Sequence, residues 1–356
     1  MTKILSCVEL IRALSDVFGP SGCEDAVAEL IREQTADLKI TPKTDRLGNL
    51  CFCLGADGTN KKKIMLSAHM DEVGFMVTDV TDKGYLKFSN VGGISPDVMA
   101  GRHVLVGDQS SHVCGVIASK AIHHKSREDR LKPEKKEKLF IDIGAKDEKE
   151  AKALADVGTF AAFAPNFSRF GKNGRMIHSK ALDDRLGCAL LIELLRKLKK
   201  IEDELPLEVY VCFTTREEVG ISGATVAANR IRPDYAVVLE TTAVADRPDA
   251  PESSRVATVG EGGAISLMDR STIYDRNLID TALEVARENN IKVQVKKFVS
   301  GGNDAGHIHK SGTGVRTLAL SAPTRYLHSP NCVACLDDYE AMLDLLYKFI
   351  LTEKLR

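Results

Sequence analysis

Lys61-Lys-Lys-Ile-Met-Leu-Ser-Ala-His-Met-Asp71 is the stretch from which the fold is read. Three lysines give way to the uncharged run 64–68, which lacks the polar alternation of a half-exposed strand. Such a run fits a strand buried on both faces of a sheet, and it delivers His69 at its carboxyl end. Downstream, further strands are read at 207–213, 235–239, 293–299 and 315–320, interleaved with helical periods over 184–200, 276–289 and 338–354. Strands alternating with helices predict an α/β fold: a mostly parallel mixed sheet covered by helices, with ligands beyond the carboxyl ends of its strands.

Upstream, two helices open the chain. In MTKILSCVELIRALSDVFG, residues 1–19, Glu9, Arg12 and Asp16 interrupt what would be the apolar core of a leader peptide, so the segment reads as an amphipathic helix of the mature protein. Ser21-Gly-Cys-Glu24 has capping-box spacing before the second helix. Residues 45–49 read as a hairpin turn into a strand at 50–54. From Gly74 to Phe170 the texture changes to short β-like runs at 85–88, 103–106, 113–119, 139–143 and 159–163, with one charged helical stretch near 148–154. That pattern predicts a small β-barrel insert over 74–170 within a larger α/β domain of residues 1–73 and 171–356. Residues 123–138 mix both signs of charge with Pro133 and read as a solvated loop.

Bulk properties exclude several classes of function. The 356 residues are 44% hydrophobic and 28% charged, without an apolar run near the ~20 residues that span a bilayer. Lys and Arg (49) balance Asp and Glu (50), so no global field attracts nucleic acid. The nine cysteines are odd in number and mostly set in apolar stretches, as reduced thiols of a cytoplasmic protein are. Cys332-Val-Ala-Cys335 has metal-pair spacing but no second pair to complete a site, and reads as incidental.

Chemistry-bearing residues fall where such a sheet would place a site. In His69-Met-Asp71, alternation puts both side chains on one side, so Asp71 can accept a hydrogen bond from the imidazole and fix its tautomer; a surface pair is the bland alternative. Asp183 starts a predicted helix, as a cap or as a carboxylate bridging two cations. Glu217-Glu218 follows a strand, either in a solvated loop or divided into a general base and a metal ligand. Glu240 ends a buried run, and Tyr326-Leu-His328-Ser-Pro supplies the remaining histidine. Together these are the ligand types that suit zinc or cobalt.

The series Ser67-Ala-His-Met-Asp-Glu-Val-Gly74, Lys180-Ala-Leu-Asp-Asp-Arg-Leu-Gly187, Thr215-Arg-Glu-Glu-Val-Gly220, Ser300-Gly-Gly-Asn-Asp-Ala-Gly306 and Arg325-Tyr-Leu-His-Ser329 resembles the tetrahedral aminopeptidases, cytoplasmic dinuclear-metal peptidases that include glutamyl and deblocking aminopeptidases. The motifs stand in the family's order across nearly the whole chain. The resemblance implies that His69 and Glu240 hold one divalent metal, Glu218 and His328 the other, and Asp183 bridges them. Glu217 is then the general base and Asp71 orients His69. Many relatives carry Asp where this chain has Glu240. The implied metals are zinc or cobalt, with manganese also compatible; a hydroxide between them attacks the scissile carbonyl. The implied substrates are peptides with a free amino terminus, and the implied partner is the chain itself, as dimers building a tetrahedral dodecamer.

Rival readings use the same residues differently. Another dinuclear-metal amidase or deacylase would accept N-acetylated substrates. A glucanase, a label some relatives carry, would need two carboxylates flanking a glycosidic bond without metals. A silent scaffold is disfavoured by the retention of Glu217. An acidic side-chain preference would need a basic group in the pocket, for which Lys296, Lys297 and Arg316 are candidates.

Overall fold

The computed structural model describes residues 3–56, 60–132 and 134–355. Met1, Thr2 and Pro133, which figure in the readings above, lie outside them. The main sheet has eight strands in the order Lys43–Thr44, Leu50–Leu54, Glu208–Thr214, Lys63–His69, Tyr235–Ala243, Arg316–Thr324, Gly263–Ile265 and Val293–Val295. Its four central strands, from Glu208–Thr214 to Arg316–Thr324, run parallel, and antiparallel pairings flank them on both sides. The run that opened the sequence reading is the second of these central strands. Every residue from Ile64 to His69 is buried, and since neighbours point to opposite faces, both faces must be covered. Helices Cys7–Asp16, Leu182–Lys199, Arg276–Glu288 and Leu336–Ile350 pack together on the sheet, while Ser222–Ile231 and Ala305–Ile308 form a separate pair against it.

The β-rich middle of the chain closes into a six-stranded barrel in the order Gly74–Val80, Leu86–Val91, Phe140–Asp142, His112–Ala118, His103–Gly107 and Phe160–Phe163. It has a core of its own, centred on Phe75, whose ring meets Phe88 and Phe163 edge-on at 5.0 and 5.3 Å between centroids. Beyond it, Ser168–Phe170 leaves the barrel to pair with Met176–Ser179, which pairs in turn with Cys332–Cys335. Short turns of 3-10 helix occur at 122–124, 129–131 and 136–138, and the described side chains around them are largely exposed. Among the described residues no helix is long and apolar enough to cross a membrane.

Two local expectations fail for identifiable reasons. The capping box is not at Ser21–Glu24: the Glu24 carboxylate accepts instead from the amides of Gly22 and Arg216, at 2.8 and 3.0 Å, which ties it to the loop before Glu217. The reciprocal Ser–Glu arrangement lies one helix earlier, where Glu9 accepts from the Ser6 amide at 2.9 Å. The strand expected at 293–299 stops at Val295, because its neighbour Gly263–Ile265 is only three residues long and gives Phe298 and Val299 no partner. Because Phe75 joins three barrel strands through one ring, Phe75→Ala should cost about 3–5 kcal/mol in denaturant unfolding; stability unchanged within error would contradict this packing.

Candidate metal centre

Parallel pairing sets the carboxyl ends of the central strands side by side, so groups scattered through the sequence converge. His69 ends its strand, Glu217 and Glu218 lie three and four residues beyond Thr214, and Glu240 sits within Tyr235–Ala243. His328 follows Arg316–Thr324, and Asp183 occupies the irregular start of helix Leu182–Lys199. Arg216, Tyr326 and His328 adopt left-handed backbone at φ 57°, 60° and 56°, local strain of the kind that functional loops carry.

These groups form overlapping clusters with ligand atoms within 4.8 Å of one another: His69, Asp183 and Glu240; Asp183, Glu218 and His328; and His69, Glu217 and Glu218. Asp183 faces both histidines, with Oδ1 3.3 Å from His69 Nε2 and Oδ2 3.4 Å from His328 Nε2. Glu240 Oε1 is 3.6 Å from His69 Nε2, and Glu218 Oε1 is 3.2 Å from His328 Nε2. The other ring nitrogen of each histidine is committed to a carbonyl. His69 Nδ1 lies 3.0 Å from the Asp71 oxygen, and His328 Nδ1 lies 2.7 Å from that of Gly93, in a loop of the barrel. Both Nδ1 atoms therefore act as donors, which leaves each Nε2 facing carboxylate oxygens with a lone pair unless a proton or a cation lies between.

Electrostatics shows which is needed. Burial opposes charge on His69 and His328, but the surrounding carboxylates prevail: His69 is pushed well above its usual range and His328 up to about 11. Burial, reinforced by Asp183, pushes Glu240 up to about 8, and burial with the Glu240, Glu218 and Asp304 charges holds Glu217 well above the carboxylate range. Two carboxylates about 4 Å apart repel by about 4 kcal/mol at an effective dielectric constant of 20, so several such pairs rival the stability of a domain. Asp183, Glu217, Glu218 and Glu240 carry together the negative charge that two divalent cations would balance, and oxygen with imidazole nitrogen suits zinc or cobalt. The residues fit a two-metal centre.

The Asp71 carboxylate approaches His69 Nδ1 at 3.4 Å, but its nearer partners are the amides of Glu217 and Glu218, each at 3.0 Å. It thus fixes the loop bearing both glutamates. Asp304 escaped sequence reasoning although it lies in the glycine-rich run: buried, it accepts from Thr214 Oγ1 at 2.7 Å, and burial pushes it up to about 6. His307 sits apart, its Nδ1 2.9 Å from Thr225 Oγ1. A cavity of about 430 Å³ opens over the cluster, walled by Thr241, Thr242, Lys296, Ser300, Gly301 and Asn303 among others. A larger hollow of about 740 Å³ lies at the opposite, amino-terminal end of the strands, but its lining has no histidine or cysteine and a single carboxylate, Asp234.

The profile of the M42 glutamyl aminopeptidase family matches residues 48–345. The chain belongs to that family. Membership makes this M42 chain a metal-dependent aminopeptidase, a hydrolase of peptide bonds. A protein of Acetivibrio thermocellus named as an aminopeptidase is 35% identical over 342 residues, covering 96% of this chain and 98% of that protein. Among solved structures, the TET aminopeptidase of the marine sediment archaeon Thaumarchaeota archaeon SCGC AB-539-E09 is 34% identical, with a TM-score of 0.92 over 98% of this chain and 96% of that one. The TET1 peptidase of Pyrococcus horikoshii, described as assembling into a tetrahedron or a large octahedral shell, is also 34% identical, with a TM-score of 0.86 over 96% and 98%.

Because the metal-free imidazoles hold protons that a cation must displace, cation binding at pH 7.5 should release protons, and affinity should rise with pH. Calorimetry in buffers of different ionisation enthalpy checks this: heats that vary with the buffer are expected, and buffer-independent heats would contradict it. Asp183→Ala should lose cation uptake altogether.

Proposed function

We propose that this M42 chain removes amino-terminal residues from peptides with a free α-amino group, using two divalent cations, zinc or cobalt with manganese compatible. His69 and Glu240 would hold one, Glu218 and His328 the other, and Asp183 would bridge them. The observation that carries this reading is the division of the Asp183 carboxylate, one oxygen toward each histidine. When bound, such a pair would lower the pKa of water between the cations and polarise the scissile carbonyl. The remaining steps belong to the chain's own side chains. Glu217 takes a proton from the attacking water and returns it to the leaving amine, a task suited to a carboxyl group whose burial raises its proton affinity. Asp71 holds the Glu217 amide, and so the base, in place. The acid-rich mouth favours the substrate's ammonium group, which directs cleavage to chain ends.

Of the three basic candidates for the side-chain pocket, Arg316 lines the far hollow and Lys297 is exposed, whereas Lys296 is buried in the wall of the cavity, its Nζ donating to Ser300 O at 3.1 Å. The surrounding Thr241, Thr242 and Ser321 are small and polar, so the pocket suits an acidic amino-terminal side chain. We assign residues 1–73 and 171–356 to catalysis and 74–170 to a barrel that supports assembly of copies of this chain into a homo-oligomer, dodecameric by analogy with a 34% identical TET1 structure described as a dodecamer. Nine free thiols suit a cytoplasmic setting.

Glu217→Gln should keep both cations, by elemental analysis, while kcat falls by roughly 10²–10⁴-fold; near wild-type turnover would refute the base assignment. Lys296→Met should lower kcat/KM for glutamyl substrates and leave leucyl substrates equal or better. An unchanged ratio would remove Lys296 from specificity.

A further inference from the structure

We infer that Glu72, Lys180 and Arg185 form a buried ionic clamp that sets the spacing between the His69–Asp71 and Asp183 segments, so that these three act as positioning residues for the metal pair. The inference rests on the ligand assignment proposed above.

All three side chains are inaccessible, at 2%, 1% and 0% relative exposure, directly behind the candidate centre. Glu72 immediately follows Asp71, and Lys180 and Arg185 flank Asp183, three residues before it and two after. Lys180 Nζ grips both carboxylate oxygens of Glu72, at 2.6 and 2.8 Å, and also donates to Val17 O at 3.2 Å. Arg185 spreads its donors over the other side: Nε to Met70 O at 2.7 Å, Nη1 to Leu14 O and Val17 O, and Nη2 to Gly19 O at 3.2 Å and to Glu72 Oε1 at 3.5 Å. The planar guanidinium thus binds the carbonyl between His69 and Asp71 on one edge and the end of the first helix on another. Glu72 is itself fixed on both sides: its amide donates to Gly19 O at 3.0 Å, its carbonyl accepts from the Ser21 amide at 3.1 Å, and its Oε1 accepts from the Gly19 amide at 3.2 Å. Room for this is made by sequence: a Cβ at Gly19 would stand 2.7 Å from Arg185 Nη2.

A clamp is needed because the Asp183 segment is not regular helix. Ala181 is left-handed at φ 53°, and Asp183 (φ −84°, ψ 109°) and Asp184 (φ −115°, ψ 46°) lie outside helical geometry. Left-handed backbone at a residue with a side chain, as at Ala181, persists where its surroundings over-determine it. Lys180 and Arg185 hold the segment at both ends, and both reach the strand-end segment that bears His69. A carboxylate that must reach two cations at once tolerates little drift, so loss of the tie should appear as loss of metal affinity.

Two variants separate position from charge. Lys180→Met leaves Glu72 balanced by Arg185, and Glu72→Gln with Lys180→Met restores the wild-type net charge of the trio while removing the tie. Cation affinity of the full-length chain is measured by competition with a chromophoric chelator, together with the visible absorption of the cobalt-loaded protein and the thermal unfolding of the metal-free form. Two-cation binding by the wild-type chain tests the ligand assignment first; if it fails, this inference falls with it. With wild-type binding established, both variants should bind cations about 10–100-fold more weakly, the loss typical of partners that orient metal ligands, and show an altered cobalt spectrum. Lys180→Arg, which keeps charge and donors, should recover part of the affinity and carries the test should Lys180→Met not fold. Wild-type affinity in Lys180→Met, or its full return in the double variant, would overturn the clamp. So would a loss that follows metal-free stability alone with the cobalt spectrum unchanged.

Discussion

Mutual repulsion among Asp183, Glu217, Glu218 and Glu240 is the constraint around which the fold is organised. Their ligand atoms lie within a few ångströms of one another and of two imidazoles, in a setting where burial raises the proton affinity of Glu217, Glu218 and Glu240. Without cations the cluster can only borrow protons, which it does by holding His69 and His328 charged. Divalent cations would balance the same charge. Assembling this charge is costly in a way that no packing contact explains, and that cost is the physical sign of a site built for something other than stability.

The scaffold meets the constraint by supplying position from several directions. Parallel strands bring His69, Glu217, Glu218 and Glu240 to one edge, and backbone atoms then fix orientation. The Asp71 carbonyl and carboxylate steady His69 and the Glu217–Glu218 loop, and Gly93 reaches from the barrel to His328. The barrel therefore contributes to the site as well as covering it. Beneath, Glu72, Lys180 and Arg185 join the first helix to both sides of the centre. Remote parts of the chain thus share in fixing the positions of a few polar atoms.

The sequence disclosed what depends on local pattern. The uncharged run before His69 identified a doubly covered strand, and short glycine-punctuated runs identified the barrel, because burial and turn chemistry leave marks at each position. It disclosed less of what depends on tertiary partners. Ser21 and Glu24 have capping spacing, yet Glu24 is drawn to the Arg216 amide, 192 residues away. The expected strand at 293–299 was shortened by the brevity of its neighbour, which its own residues do not encode. In the site, the side-chain types were legible, but the main-chain duty of Asp71, the burial of Asp304 and the pairing of Glu72 with Lys180 were not. Each joins segments distant in sequence, and a lone lysine or glutamate reads as surface until its partner is known.

The central claim is that paired cations in this cluster hydrolyse the first peptide bond of an unblocked chain. Its most direct test is hydrolysis of matched unblocked and N-acetylated aminoacyl substrates by the purified chain, before chelation, after it, and after return of zinc, cobalt or manganese. The account predicts turnover of unblocked substrates alone, abolished by chelator and restored by metal. Turnover of the acetylated substrates, or hydrolysis indifferent to chelation, would contradict it.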